Sequence, residues 1–183
     1  KYKTPLRYAG GKSKAIYKLE KFLPKNIDSI EEIHDCFLGG GSFPIYLTKL
    51  YPDKIIRVND IYKPLIDFWI ELRDNGTKLS DDILELKNKH NTIPLACELF
   101  EKQKKIMKNN NETRYNKACA FYILNKCSFS GLVSSSFSKK ASVSNFSVNN
   151  IQSLKYYSQL IKNWIITNLD YKEFLKTHSN SDK

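Results

Sequence analysis

Three consecutive glycines, Gly39 to Gly41, stand between a short apolar run and a helix-like segment. They constrain the fold more than any other stretch of the chain. Glycine suits backbone at positive φ, and backbone that must lie against a ligand with no Cβ in the way. Gly10 and Gly11 form a second such loop, so five of the seven glycines occupy two places. A strand over 30–37, the glycine turn, and a helix over 43–51 capped by Ser42 together make a cradle of the kind that holds nucleotides and cofactors. Pro44 is tolerated in the first helical turn, which has no N–H to lose.

Downstream of the cradle the same pattern continues. Ile55, Ile56 and Val58 make a second strand that ends at Asn59 and Asp60. An acid at the end of the second strand of a doubly wound sheet can accept both ribose hydroxyls of an adenosine. A helix over 62–76 buries Leu65, Phe68, Trp69 and Leu72 along one face, and Gly76 is placed to end it. Much later, Ile151, Leu154, Tyr157 and Ile161 mark a helix over 150–162, and 164–169 reads as a third parallel strand ending at Asp170 and Tyr171. Asp170 therefore belongs on the same sheet edge as the glycines and Asp60, where it can meet the amine of an adenine or cap the short helix over 171–176. In the first loop, Gly11-Lys12-Ser13 lacks the upstream glycine of a phosphate-binding loop, since Leu6 stands there. Tyr8, the two glycines and Lys12 can instead close over a cofactor from the side.

Between 77 and 148 the strand rhythm stops. Three helices are expected, over 80–90, 94–108 and 113–126, with Ser80 and Thr113 as N-caps and Tyr115, Ala118, Cys119 and Tyr122 buried on the third. A polar Ser- and Gly-rich stretch over 128–141 comes next. The fold class is thus α/β, with an incomplete parallel sheet in a cofactor-binding domain (1–76 and 149–183) and a helical insertion over 77–148. A formal charge of +11 and a pI near 9.4 point to a polyanionic partner, nucleic acid first. Residues 1–30 carry eight basic against two acidic side chains, and 76–150 carry twelve against six. Four cysteines without paired spacing and three scattered histidines predict reduced thiols in a cytoplasmic protein, with no metal and no membrane span.

Arg7-Tyr-Ala-Gly-Gly-Lys12, Phe37-Leu-Gly-Gly-Gly-Ser42, Asn59-Asp60 and Asp170-Tyr171, in this order along the chain, resemble the first four motifs of the Dam-type DNA adenine methyltransferases. The resemblance implies a Rossmann-like fold, S-adenosylmethionine as cofactor, double-stranded DNA as partner, and DNA methylation of the restriction-modification kind in a bacterium or a virus-infected host cell. Tyr8, Ala9, Gly10 and Lys12 would line the cofactor, and Phe37, Gly39, Gly40, Gly41 and Ser42 would cradle it. Asp60 would hold its ribose, and Asp170 with Tyr171 its adenine. The insertion is the target-recognition region of this family, with DNA-facing candidates Arg7, Lys102, Lys105, Lys126, Ser130, Lys139 and Lys140. Ser128-Phe-Ser-Gly-Leu132 resembles the family's Phe-Asn-Gly-Leu loop, with Ser130 in the place of asparagine.

The family's Asp-Pro-Pro-Tyr catalytic tetrapeptide has no counterpart, because none of the six prolines are adjacent. No catalytic residue is therefore assigned, and the chain reads as a version truncated before the fourth strand. Two alternatives from other classes are a DNA-binding module that has lost its chemistry and a nicotinamide-dependent oxidoreductase. The second is disfavoured by Pro44 at the third glycine position of that fingerprint. An open edge beside the third strand predicts self-association; light scattering should show oligomers, and a monodisperse monomer would contradict this.

Overall fold

The computed structural model describes residues 3–178, the side chain of residue 178 excepted. Lys1 and the chain end at Lys183 lie outside the described residues. Three parallel strands, β1 (Glu32–Asp35), β2 (Ile55–Asn59) and β3 (Ile165–Thr167), lie side by side in that order. Ile33 pairs with Ile56 and Val58 with Ile166. Because all three run the same way, the glycine loop, Asp60 and Asp170 come out on one edge of the sheet. Helix α1 (Ile16–Leu19) precedes the sheet, α2 (Ser42–Leu50) links β1 to β2, and α8 (Tyr171–His178) follows β3. Between β2 and β3 come α3 (Lys63–Lys89), α4 (Ile93–Lys108), α5 (Arg114–Cys127), α6 (Lys139–Ser144) and α7 (Val148–Leu160). Phe174 of α8 reaches back to His34 of β1, their rings 5.7 Å apart. Among the described residues β1 and β3 are both edge strands, so the open edge expected at the third strand has a counterpart at the first.

Helix α3 ties the parts together. Its 27 residues carry the chain from the sheet into the inserted helices as two helical stretches joined by a kink at Asn75. The first stretch breaks at Asn75, one residue before the expected terminator Gly76, but the chain resumes as helix at once, so Ser80 caps nothing. Ser80 is fully buried and donates to the Ile151 carbonyl at 3.0 Å. Only Asn75 leaves helical geometry, with its amide donating to Glu71 at 2.6 Å. Gly76 serves close approach instead: an added Cβ would stand 2.2 Å from the Ser158 Cβ of α7. Phe68 stacks on Phe121 and Tyr122 of α5 at 5.8 and 5.9 Å, and Trp69 lies 5.5 Å from Trp164. Sheet-side and insertion-side residues therefore share one apolar core, which runs from Ile45 and Val58 to Leu99 and Phe121. The expected domain limits at 76/77 and 148/149 fall inside α3 and in the first turn of α7.

Three local expectations need correction. The segment over 14–22, whose sequence predicts a helix after the first glycine loop, is a single α-turn, α1, between two 3-10 turns. Ser42 is the first residue of α2, not its cap; Gly41 holds that position at φ 70°, where only glycine is at ease. Residues 139–144, expected within a polar loop and linker, form α6, capped by the Ser138 hydroxyl. Thr113 does cap α5, accepting from the Asn116 N–H at 3.1 Å.

The helix interior fixes a sign for Gly76→Ala. At an open helical site the change would stabilise by about 1 kcal/mol. Against Ser158 it should instead cost about 1–3 kcal/mol, measured by urea unfolding; a gain in stability would show that α3 and α7 are not in contact there.

Candidate cofactor and DNA site

The sheet edge is built around two residues adjacent in sequence, Asn59 and Asp60. Asn59 is 1% exposed. Its Nδ2 donates to the Leu169 carbonyl at 2.9 Å and, more weakly, to that of Cys36 at 3.4 Å. Its Oδ1 accepts from the Leu169 N–H and the Thr167 hydroxyl at 2.9 and 2.8 Å. One buried amide thus fastens together the ends of all three strands, and its hydrogen-bonding capacity is filled. Asp60, half-buried, points the other way. Its Oδ2 accepts from the Gly39 N–H at 2.9 Å and its Oδ1 from the Tyr62 N–H at 3.0 Å. Each oxygen is held by one bond and keeps a lone pair for another.

The glycine loop is fixed from behind and from above. Trp69 donates its indole N–H to the Gly39 carbonyl at 3.1 Å, and its ring leaves no space for a Cβ on Gly41. From above, Tyr8 lies over the loop so closely that a Cβ on Gly40 would stand 2.7 Å from the Tyr8 Cβ. Between the two glycine loops opens a cavity of about 290 Å³. Tyr8, Gly10 and Lys12 line it from the N-terminal loop, Phe37, Gly39, Gly40 and Ser42 from the glycine turn, and Asp60 from the floor. Gly11 and Leu38 complete the wall.

Four predicted cofactor residues, Ala9, Gly41, Asp170 and Tyr171, do not line this cavity. Ala9 lines a neighbouring cavity, and Gly41 is buried behind the loop against Trp69. Tyr171 approaches the rim, its ring 5.8 Å from that of Phe37. Asp170 is exposed and caps α8, accepting from the Lys172 N–H at 2.9 Å. Asp35 sits just below. Its carboxyl accepts from the Phe37 N–H at 2.9 Å, yet burial holds its pKa above the ordinary value, with the Asp60 charge adding and Lys12 opposing.

The second cavity, about 280 Å³, shares Tyr8 with the first and lies against the insertion. Tyr62 and Phe121 wall it, and the Gly131–Ser134 segment forms its far side. Here Asn125, 1% exposed, joins the N-terminal loop to the insertion. Its Oδ1 accepts from the Arg7 N–H at 2.9 Å, and its Nδ2 donates to the Arg7 and Gly131 carbonyls at 2.6 and 2.8 Å. Neither asparagine's role was visible in sequence. Asn59 stood out only as the polar residue that closes an apolar run in the Asn59-Asp60 motif, and Asn125 not at all.

The DNA-facing candidates separate. Arg7 reaches the second cavity and donates through Nη1 to the Ser128 carbonyl at 2.8 Å. Ser130 is exposed at φ 55°, in the left-handed region that asparagine tolerates better than serine. Phe129 beside it is 65% exposed. Lys139 and Lys140 are exposed at the start of α6, while Lys102 and Lys105 stand on α4, the first within 3.7 Å of Glu98. Lys126 departs from expectation. It is buried, with its amine 5.2 Å from the Tyr122 ring, and burial together with the Arg7 charge lowers its pKa to about 8. An exposed phosphate contact is not what such a side chain provides. Among the described residues no group of histidines, cysteines and acids is placed to hold a metal, and no helix is long and apolar enough to cross a membrane.

The chain is 26% identical over 174 residues to the Type II methyltransferase M.MjaIII of Methanocaldococcus jannaschii; the match covers 86% of this chain and 58% of that protein. The chain thus spans little more than half the length of this relative. Residues 8–183 match a family as a continuous whole, through both glycine loops, the two acids and the insertion, and on that match the chain belongs to the D12 class N6 adenine-specific DNA methyltransferase family.

Proposed function

We propose that this chain holds S-adenosylmethionine between its two glycine loops and presents its insertion to double-stranded DNA, as the binding portion of an adenine-N6 methyltransferase. The observation that carries the cofactor assignment is Asp60. Its carboxylate is pinned by two backbone N–H groups and lines the cavity with lone pairs still available to ribose hydroxyls. The residues fit the rest of such a group. Lys12 supplies a cation for a carboxylate, and Tyr8 and Phe37 supply aromatic walls. Asp35, a half-buried acid whose ionised form is disfavoured by partial desolvation, would be relieved by an ammonium. Asp170 caps α8 through one oxygen, and the other would accept from the adenine amine.

When bound, S-adenosylmethionine supplies a methyl group on a positively charged sulfur. The chain's own part is to fix that donor and exclude water with Tyr8. On the DNA side, Ser130, Lys139 and Lys140 are the exposed candidates, with Arg7 at the cavity that adjoins the cofactor, and Lys102 and Lys105 more peripheral. Acceptors for the hydrogens of the target amine come, in this family, from the Asp-Pro-Pro-Tyr motif. The 183 residues contain no such motif, so these residues alone are read as binding-competent and unable to turn over. A non-catalytic DNA-binding module would share the insertion, but would not need a cavity so arranged for an adenosine. The family match removes the support for a nicotinamide enzyme.

Calorimetric titration should show S-adenosylmethionine binding, no NAD binding, and at least a tenfold loss in Asp60→Ala, as expected for charge-assisted bonds worth about 1.5–3 kcal/mol. Unchanged affinity in Asp60→Ala would remove Asp60 from the site. Asp35→Asn should behave oppositely in stability and binding. A raised carboxyl pKa means the fold loses stability as pH rises through it. The variant should therefore gain thermal stability at pH 8, with the gain shrinking towards acid pH, while cofactor affinity falls. A stability loss at pH 8 would contradict the burial assigned to Asp35.

A further inference from the structure

Residues 12–25 carry five lysines and a single glutamate. The backbone keeps right-handed helical geometry from Lys12 to Phe22, through the two 3-10 turns and α1. Ile16 is buried on one side and Leu23 packs against the core. Lys14, Tyr17, Lys18 and Lys21 are exposed, at the i, i+3, i+4, i+7 spacing that lines up one face. Tyr17 is 60% exposed, and Phe22 at the end of the segment, at 84%, is the most exposed large apolar side chain among the described residues.

The ridge differs from most of the surface in its lack of acids. On the long helices several lysines are matched to acids one turn away, Lys63 with Asp67, Lys78 with Asp82, Lys89 with Glu85 and Lys102 with Glu98, although Lys105, Lys108 and Lys117 have no such pair. Among the described residues Lys14, Lys18 and Lys21 make no such pair; the nearest charged contact is the Lys18 amine, 5.9 Å from the Tyr17 ring. Unpaired amines interleaved with exposed rings match a sugar-phosphate backbone, whose charges the amines meet and whose apolar faces the rings cover. A membrane surface suits the ridge less well. Interfacial helices offer lipid a broad apolar face, and here that face, with Ile16, is turned into the core. Lys12, two residues before the ridge, lines the cofactor cavity.

We propose that Lys14, Tyr17, Lys18 and Lys21 form a second DNA contact, gripping the phosphate backbone of duplex outside the bases that the insertion reads. The proposal rests on the reading of the insertion as directed to DNA. It makes the cofactor-binding side of the molecule a sequence-independent clamp, separate from Ser130, Lys139 and Lys140.

The test uses the 183-residue chain and a variant with Lys14, Lys18 and Lys21 all changed to Gln. Binding to a random-sequence duplex is followed by fluorescence anisotropy over a range of salt, beside S-adenosylmethionine titration and binding to phosphatidylserine vesicles. The slope of log affinity against log salt should become shallower by about 2 to 3 in the variant, with cofactor affinity unchanged and affinity at low salt down by at least tenfold. An unchanged slope, or no duplex binding by the unmodified chain, would overturn the proposal. Vesicle binding that depends on these lysines while the duplex slope stays the same would also overturn it, in favour of a membrane contact. A lysine-dependent slope in a chain that fails to bind S-adenosylmethionine would leave the clamp standing and defeat the cofactor assignment instead.

Discussion

Asn59 uses its whole side-chain amide at the point where β1, β2 and β3 end. Parallel strands leave their terminal peptide groups unpaired at the sheet edge, and in a buried setting each unpaired group costs roughly 1–3 kcal/mol. By meeting Cys36, Thr167 and Leu169 together, Asn59 draws the three chain exits into one place. Everything chemical in the molecule stands on those exits. Asp60 is the next residue, the glycine turn follows Cys36, and Asp170 follows Leu169.

The second constraint is steric. Gly39 to Gly41 are squeezed between Trp69 below and Tyr8 above, and a Cβ at Gly40 or Gly41 would collide with one or the other. The loop is therefore shaped by packing before any ligand arrives, which is what preorganisation requires of a binding site. Tyr8 also divides the two cavities, and Asn125 anchors the adjoining Arg7 backbone to α5 and Gly131. Cofactor side and DNA side meet at one short N-terminal loop.

Much of this was legible in sequence, because binding chemistry clusters where glycines and strand-end acids coincide. The glycine turn, Asp60, the third strand and two of the inserted helices, α4 and α5, lie where their residue patterns put them. What escaped depends on contacts distant in sequence. Gly76 stands next to the kink that its sequence suggests, but its close approach to α7 has no local signal, and Ser80 looks like a cap until Ile151 is seen beside it. Lys126 leads from an amphipathic helix towards a loop that reads as basic, and only tertiary packing shows that its amine is buried against Tyr122. Asn125 carries no signal in its own neighbourhood, since its partner Arg7 is 118 residues away.

The most direct measurement is amide NMR of the isotopically labelled chain during titration with S-adenosylmethionine. The largest shifts should fall on Gly39, Gly40 and Tyr62, whose N–H groups surround the Asp60 carboxylate and the glycine turn, and on the Tyr8–Lys12 loop, with little change along α4. Shifts centred on α4 and α5, or none at saturating cofactor, would contradict a site built on Asn59 and Asp60.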